Sequence, residues 1–372
     1  MPDPSPLPPR VNLVVLFGGQ SAEHDVSRAT AAHVLAALDE DRYHVRAVGI
    51  DRDGHWVDAG DAARAQIEHL RQGELRDGPA IAAGLEVVGP ATHAGPVLAG
   101  AEPGAPTVVL PLLHGPLGED GTVQGLLELA DVAYVGAGVL SSAVAMDKAM
   151  AKTVLDAHGI PQARWQAFLE HEITATTAAE VVERFGLPVF VKPANMGSSV
   201  GVTKAKTVEA VADAIATALT YDRVVVVEEA VTGREIEVGV LGNEVVRASV
   251  PGEIIPGHEF YDFDDKYIDG GAKLLIPAPL AEADATRVRE LAIQVFRALR
   301  GEGLARIDFF FEEGPNGRGF LCNEANTMPG FTPISMYPKL WQATGVGYGE
   351  LIDELVRLAL ARHERRRRNT TR

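Results

Sequence analysis

Along the first third of the chain, short apolar runs alternate with longer amphipathic stretches. Val11 to Phe17 is apolar and stops at Gly18-Gly19, and Ser21 to Leu38 then repeats its apolar positions at helical spacing. A strand, a glycine turn and a helix are how an open α/β sheet begins. Tyr43 to Ile50 predicts the next strand, with its turn at Asp51 to Gly54, and a helix is expected around Ala63 to Leu70. Thr107 to Leu113 predicts another buried strand, Thr122 to Ala130 a helix and Val132 to Val135 a strand. This alternation implies an open parallel-sheet α/β domain up to about Gly136.

The pattern then changes. Ser141 to His158 predicts one helix, closed by Gly159 and Pro161. Phe185 to Lys192 leads into a Gly/Ser loop, Pro193 to Gly201, set between two strands. Val208 to Leu219 predicts a helix and Val224 to Glu229 a strand, and Glu235 to Leu241 with Val245 to Val250 a hairpin about Gly242-Asn243. Pro251 to Lys273 is charged, glycine-containing and without period, and a loop of that length inside a domain is expected to be either functional or disordered. Ala283 to Arg300 predicts an amphipathic helix, Leu304 to Glu312 and Gly319 to Thr327 two strands, and Gly349 to Ala361 a closing helix. Pro2 to Pro9 suggests a disordered arm, and Arg362 to Arg372, with Arg365 to Arg368, a solvated, fraying helix end.

The length of 372 residues implies more than one domain. A net charge of −17 argues against non-specific nucleic-acid binding, so any phosphate ligand needs lysines placed locally. The single cysteine, Cys322, excludes an internal disulfide and a thiolate metal cluster, and fits a core position. No apolar stretch is long enough to span a membrane and no signal-peptide pattern opens the chain, so a cytoplasmic protein is expected.

Candidate chemistry gathers in four places. On the last predicted hairpin, residues two apart share a face, so Arg306 projects with Asp308, and Glu324 with Asn326. Pairing the strands brings Asp308, Glu324 and Asn326 together as three oxygen ligands suited to magnesium shared with a nucleotide. Ordinary surface salt bridges fit the same pattern. Lys192 precedes the Met196 to Gly201 loop, whose backbone amides are able to wrap phosphate, although neither a Walker loop nor a dinucleotide fingerprint is present. Glu23 sits at a helix start, where it either holds a substrate ammonium or simply favours the helix dipole. His114 opens the loop His114 to Gly121 at a strand's carboxyl end, where open α/β sheets bind ligands.

Taken in order, these motifs resemble the D-alanine–D-alanine ligase family of the ATP-grasp superfamily, from about Val11 to about Leu360. The motifs that carry the resemblance are Gly18 to Glu23, His114 to Gly125, Met146-Asp147-Lys148, Lys192-Pro193 with Gly197 to Gly201, Arg306-Ile307-Asp308, and Asn323 to Gly330. The resemblance implies an N-terminal α/β substrate domain over 11–137 after an arm over 1–10. A two-domain ATP-grasp fold would follow, central over 138–228 and C-terminal over 229–372, with a lid loop over 251–273. By the family pattern Lys148, Lys192, Ser199 and Lys266 would contact ATP, and Glu228 and Glu235 would hold its adenosine end. Asp308, Glu324 and Asn326 would bind two magnesium or manganese ions. Glu23 would grip the first D-alanine's ammonium beside His114, in a hydrogen-bonded set with Ser198 and Tyr267. Arg306 and the Gly330 backbone would stabilise the tetrahedral oxyanion, and Ser335 and Met336 would receive the second D-alanine's carboxylate.

What the resemblance implies chemically is ATP-dependent joining of two D-alanine molecules through D-alanyl phosphate, for peptidoglycan precursor synthesis, by a cytoplasmic homodimer. Lys266-Tyr267 resembles the pair found in dipeptide-forming members, whereas relatives making D-alanyl-D-lactate typically lack that tyrosine. Cys322 departs from the Leu or Ile usual in the family. The competing readings are a ligase for D-alanine with D-serine or D-lactate, and a nucleotide-binding regulator without catalysis. The regulator would be expected to lack a metal ligand or Arg306; this chain retains them all.

Overall fold

In the computed structural model the described residues are 6–60, 91–92, 103–257, 273–333 and 335–367, and they form three sheets. The first contains β1 (Val11–Gly18), β2 (Tyr43–Ile50), β3 (Trp56–Asp58), β4 (Ala91–Thr92), β5 (Thr107–Pro111) and β6 (Ala133–Tyr134), in the order β4-β3-β2-β1-β5-β6. The pairings β2-β1-β5-β6 are parallel, as the alternating pattern predicts, and β3 and β4 add an antiparallel edge. All eight residues of β1 are buried, because parallel strands are covered on both faces. Helix α1 (His24–Ala37) starts three residues later than its apolar pattern, and α2 (Thr122–Leu129) precedes β6. The helix expected at Ala63 to Leu70 lies outside the described residues. Leu7, within the expected arm, packs on this core, and Arg10 donates to the Glu40 and Asp41 carbonyls.

The single helix expected over Ser141 to His158 is two. Helix α3 (Val139–Met146) stops at Asp147, whose extended backbone (ψ 104°) breaks the ladder and whose carboxylate caps α4 (Lys148–Ala157) by accepting from the Met150 N–H at 2.9 Å. The second sheet holds β7 (Trp165–Leu169), β8 (Val189–Pro193), β9 (Thr203–Ala205) and β10 (Val224–Glu229), ordered β7-β10-β8-β9. Helices α5 (Thr177–Phe185) and α6 (Val208–Ala218) cover one face through Val181, Phe185, Val211 and Ile215.

The third sheet is antiparallel: β11 (Arg234–Gly242), β12 (Val246–Ile255), β13 (Lys273–Leu275), β14 (Gly303–Glu312) and β15 (Gly319–Asn326), ordered β13-β12-β11-β14-β15. Part of the segment expected to be loop is therefore strand: Pro251 to Ile254 pair with β11, and Lys273 begins β13. Ile307 and Phe309 point into a core with α7 (Glu282–Ala298), which leaves Arg306 and Asp308 on the opposite face. The chain closes with α8 (Met336–Ala343) and α9 (Tyr348–Arg367).

Among the described residues of the C-terminal end, Arg362, Arg365 and Arg366 are held against the fold rather than fraying into solvent. Leu351, Leu355 and Val356 sink α9 into the first sheet's core, and that anchor lays the helix's continuation against β6. Arg362 is 5% exposed, lies 4.1 Å from the Tyr134 ring centroid and donates to the carbonyls of Tyr134 (2.9 Å) and Gly136. Arg366 pairs with Glu128 at 2.7 Å, and Arg365 with Glu302 at 3.3 Å.

Candidate active site

The chemistry-bearing residues converge where the three sheets meet. Glu23 ends the turn after β1 and is 7% exposed. Its carboxylate Oε1 accepts the Ser198 hydroxyl, from the loop after β8. Two glycines make that approach possible: a Cβ on Gly115 would lie 2.8 Å from Glu23 Oε2, and one on Gly197 2.7 Å from it. Ser198 and Ser199 both hold positive φ, at 47° and 60°, a conformation rare for residues with a side chain and common at functional loops.

His114, at the carboxyl end of β5, is buried, with Nδ1 3.1 Å from the Met328 carbonyl. A carbonyl only accepts, so Nδ1 carries the hydrogen and Nε2 is left as a bare acceptor. Nε2 has no hydrogen-bond partner among the described residues. Burial lowers the imidazole's pKa against the opposing charge of Glu23, which keeps the ring neutral. Beside it Glu119 accepts the N–H groups of Gly115 (2.8 Å) and Met328 (3.2 Å). Burial and then the Glu23 charge push the Glu119 carboxyl well above its ordinary range.

Helix α4, whose Ala151 and Leu155 pack into the third sheet's core, and the second sheet together supply cations. Lys148 opens α4 and Lys152 lies one turn on, on the same helix face. Lys192 on β8 and Glu228 on β10 share a sheet face, since Lys192 is opposite Val226. Glu228 is 3% exposed and receives Lys192 Nζ at 3.0 Å on one oxygen and Lys152 Nζ at 3.2 Å on the other. The Lys152 approach is a charge contact rather than an aligned hydrogen bond. Burial would raise the Glu228 pKa, but the two ammoniums outweigh it and hold the carboxyl at about 2. Lys148 donates to the Met196 carbonyl at 2.5 Å. Burial lowers its pKa, with Glu324 and Glu228 opposing and Lys192 adding to the shift.

The third sheet supplies carboxylates. On the β14–β15 pair Arg306 stands opposite Asn326 and Asp308 opposite Glu324, as the alternation predicts. The register slips just beyond Asp308, so only this end of the pair keeps its acids in line. Arg306 grips both oxygens of Asp308, at 2.8 and 2.7 Å, and Asn326 Nδ2 donates to Asp308 at 2.9 Å. On β11, Glu237 reaches Arg306 at 3.0 Å, and Glu235 shares its face. Asp308 and Glu237 then raise the guanidinium's pKa despite the burial that acts against it.

Gly330 lies in the turn before α8, where its Cβ position would meet Ser335 Oγ at 3.2 Å. Ser335 precedes the helix, and its hydroxyl is 2.7 Å from Thr332 Oγ1. The Met336 side chain is in the core with Ile254 and Leu340, so only its backbone is available to a ligand. Lys266 and Tyr267 lie outside the described residues. Lys152 and Glu237 were missed by reading the sequence, while Glu119 stood within the His114 to Gly121 loop without a role of its own. Lys152 at four residues from Lys148, and Glu237 at two from Glu235, carried periodic signals that place them with residues already named.

Residues 12–137 match the family described as the D-ala D-ala ligase N-terminus, and residues 154–357 match its C-terminus. The D-alanine–D-alanine ligase of Heliobacterium modesticaldum is 46% identical, over 96% of this chain and 97% of its own length. The solved D-alanine–D-alanine ligase of Coxiella burnetii superposes with a TM-score of 0.78 at 34% identity, covering 98% of this chain and 97% of that one. The VanG D-Ala:D-Ser ligase of Enterococcus faecalis reaches a TM-score of 0.77 at 30% identity, covering 94% and 99%. With both halves matched in order and the charged residues of three sheets gathered at one junction, this chain belongs to the D-alanine–D-alanine ligase family.

Proposed function

We propose that this protein joins two D-alanine molecules into D-alanyl-D-alanine, with ATP converted to ADP and phosphate through D-alanyl phosphate. The observation that carries the reading is the position of Lys148. Its ammonium donates to the Met196 carbonyl of the Gly/Ser loop, and Lys192 stands on the strand that leads into that loop, so a triphosphate over the loop would meet both cations. A carboxylate is a poor electrophile, and phosphorylating it requires positioning and charge neutralisation more than covalent help. Lys148, Lys192 and the Ser199 loop are suited to the phosphates, and Glu228 and Glu235 to adenosine.

The oxygen-rich set Asp308, Glu324 and Asn326, aligned on one face, fits magnesium or manganese. Bound there, such ions would neutralise phosphate charge. Glu23, held by Ser198, is placed to receive the first substrate's ammonium, and the bare His114 Nε2 offers a second acceptor. Arg306 is the donor for a tetrahedral oxyanion, together with the Gly330 backbone, while Ser335 and the Met336 N–H open α8 toward a carboxylate. An acylphosphate must be kept from water, and the lid role falls to the part of the 251–273 segment between β12 and β13, which carries Lys266 and Tyr267. A cytoplasmic homodimer belongs to the same reading and rests on the family resemblance. Among the described residues no helix is long and apolar enough to cross a membrane.

The test is phosphate release from ATP and magnesium with D-alanine, D-serine, D-lactate or L-alanine, with products identified by mass. Release with D-alanine alone, yielding the dipeptide, is expected. A requirement for D-serine or D-lactate beside D-alanine would keep the fold and change the product, and no release with any of them would move the protein to a regulator. Tyr267→Phe should raise ATP hydrolysed per dipeptide formed; an unchanged ratio would count against the lid role.

A further inference from the structure

Lys152 has no place in the chemistry above, yet it is among the most deeply buried charges of the chain, at 2% exposure. Burying an ammonium is costly unless a partner compensates it. The partner here is Glu228 Oε1, at 3.2 Å, and Lys152 Nζ has no aligned hydrogen-bond acceptor among the described residues. The helix carrying it is fixed at both ends. Asp147 caps its start, and near its end the Lys152 and Asp156 acceptors hold the Gln162 amide at 3.0 and 2.7 Å. Gln162 in turn bridges Cys322 of β15. Lys152 is therefore placed by packing that does not involve the nucleotide.

The two lysines on Glu228 differ in what else they would do. Lys192 is more exposed, at 14% against 3% for the Lys152 side chain, and borders the glycine loop. When its ammonium turns to a phosphate, Glu228 keeps one cation, Lys152. A carboxylate held ionised accepts hydrogen bonds and donates none. It favours a purine with an amine at position 6 and disfavours one with a carbonyl there, because two facing acceptors repel.

We propose that Lys152 is a positioning residue for the nucleotide base: it anchors Glu228 as an ionised acceptor after Lys192 has moved to the phosphates, and thereby sets the preference for adenine over 6-oxopurines. This rests on the reading of Glu228 as the adenosine contact.

The experiment compares steady-state kinetics with ATP and with ITP for the wild type, Lys152→Met, Lys152→Arg, Glu228→Gln and the Glu228→Gln/Lys152→Met double variant. Lys152→Met should raise KM for ATP about tenfold or more, with kcat within about threefold and KM for D-alanine unchanged. Its ATP-to-ITP ratio of kcat/KM should narrow by about tenfold, and Lys152→Arg should restore most of it. In the Glu228→Gln background, Lys152→Met should change neither quantity further. Additive effects in the double variant, or an unchanged ATP-to-ITP ratio in Lys152→Met, overturn the proposal. If Glu228→Gln leaves KM for ATP and the ratio intact, the adenosine reading itself fails. If it shifts both while Lys152→Met shifts neither, only the role of Lys152 fails. Should Lys152→Met alone not fold, Lys152→Gln, which keeps a hydrogen-bond donor but removes the charge, takes its place in the same comparison.

Discussion

The two charged walls of the site are built with opposite signs and the same economy. Lys152 of α4 and Lys192 of the second sheet converge on one carboxylate, Glu228; on the third sheet, Asp308 and Glu237 converge on one guanidinium, Arg306. Each wall is one charge short of neutrality within its own trio, positive on the first and negative on the second. That leaves the lysine wall suited to phosphate and the carboxylate wall to cations, while each minority charge keeps its neighbours from repelling one another. A chain of net charge −17 thus still gathers local positive charge around Glu228, as the proposed nucleotide site requires.

The largest disturbance should come from removing a minority charge. Arg306→Met leaves Asp308 and Glu237 buried without their shared cation, and a stability loss of about 3–5 kcal/mol is expected on denaturant unfolding. Turnover should fall at least about a hundredfold if Arg306 is the oxyanion donor proposed above. Wild-type stability in this variant would mean that the carboxylate wall needs no internal cation. Glu324→Gln removes a majority charge instead. It should spare stability but lower turnover by about a hundredfold at ordinary magnesium, with partial recovery as magnesium is raised. A near-normal rate at low magnesium would remove Glu324 from the metal set.

The smallest effect concerns Glu119, which sharpens the contrast with Glu228. Both carboxyls are buried, but Glu228 faces two lysines and is held at about 2, whereas Glu119 faces Glu23 and Glu324 and is raised. A raised carboxyl keeps its proton in the folded chain after the unfolded chain has released it. Its stabilising contribution is therefore full below the ordinary carboxyl range and is lost as pH rises through the elevated folded value. Wild-type melting temperature should fall more steeply than that of Glu119→Gln between about pH 5 and about pH 9. Parallel pH profiles would show that Glu119 is ionised in the folded protein.

How much of this was legible in the sequence depended on the range of the interaction. Alternation along β14 and β15 was enough to put Arg306, Asp308, Glu324 and Asn326 on one face, because strand period is local geometry. The same rule applied to Glu235 would have found Glu237. By contrast, the break at Asp147 needed the knowledge that its carboxylate would cap a second helix rather than continue the first. The arginine-rich end was misread for a related reason: nothing within Arg362 to Arg366 announces the carbonyls of Tyr134 and Gly136, which lie more than two hundred residues earlier.

What the sequence by itself determined was the local part of the protein: the parallel α/β start, the strand faces, the glycine loops and the charged residue types each face carries. Hydrophobic period and turn chemistry act over a few residues and are written in order along the chain. What only the tertiary structure decided was which charges meet. The Glu23 carboxylate lodges between Gly115 and Gly197, Glu119 joins the Gly115 and Met328 loops, and Lys152 reaches Glu228, each across a junction between sheets. The ionisation of such groups depends on burial and on neighbours brought close by packing, so it has no counterpart in any single stretch of sequence.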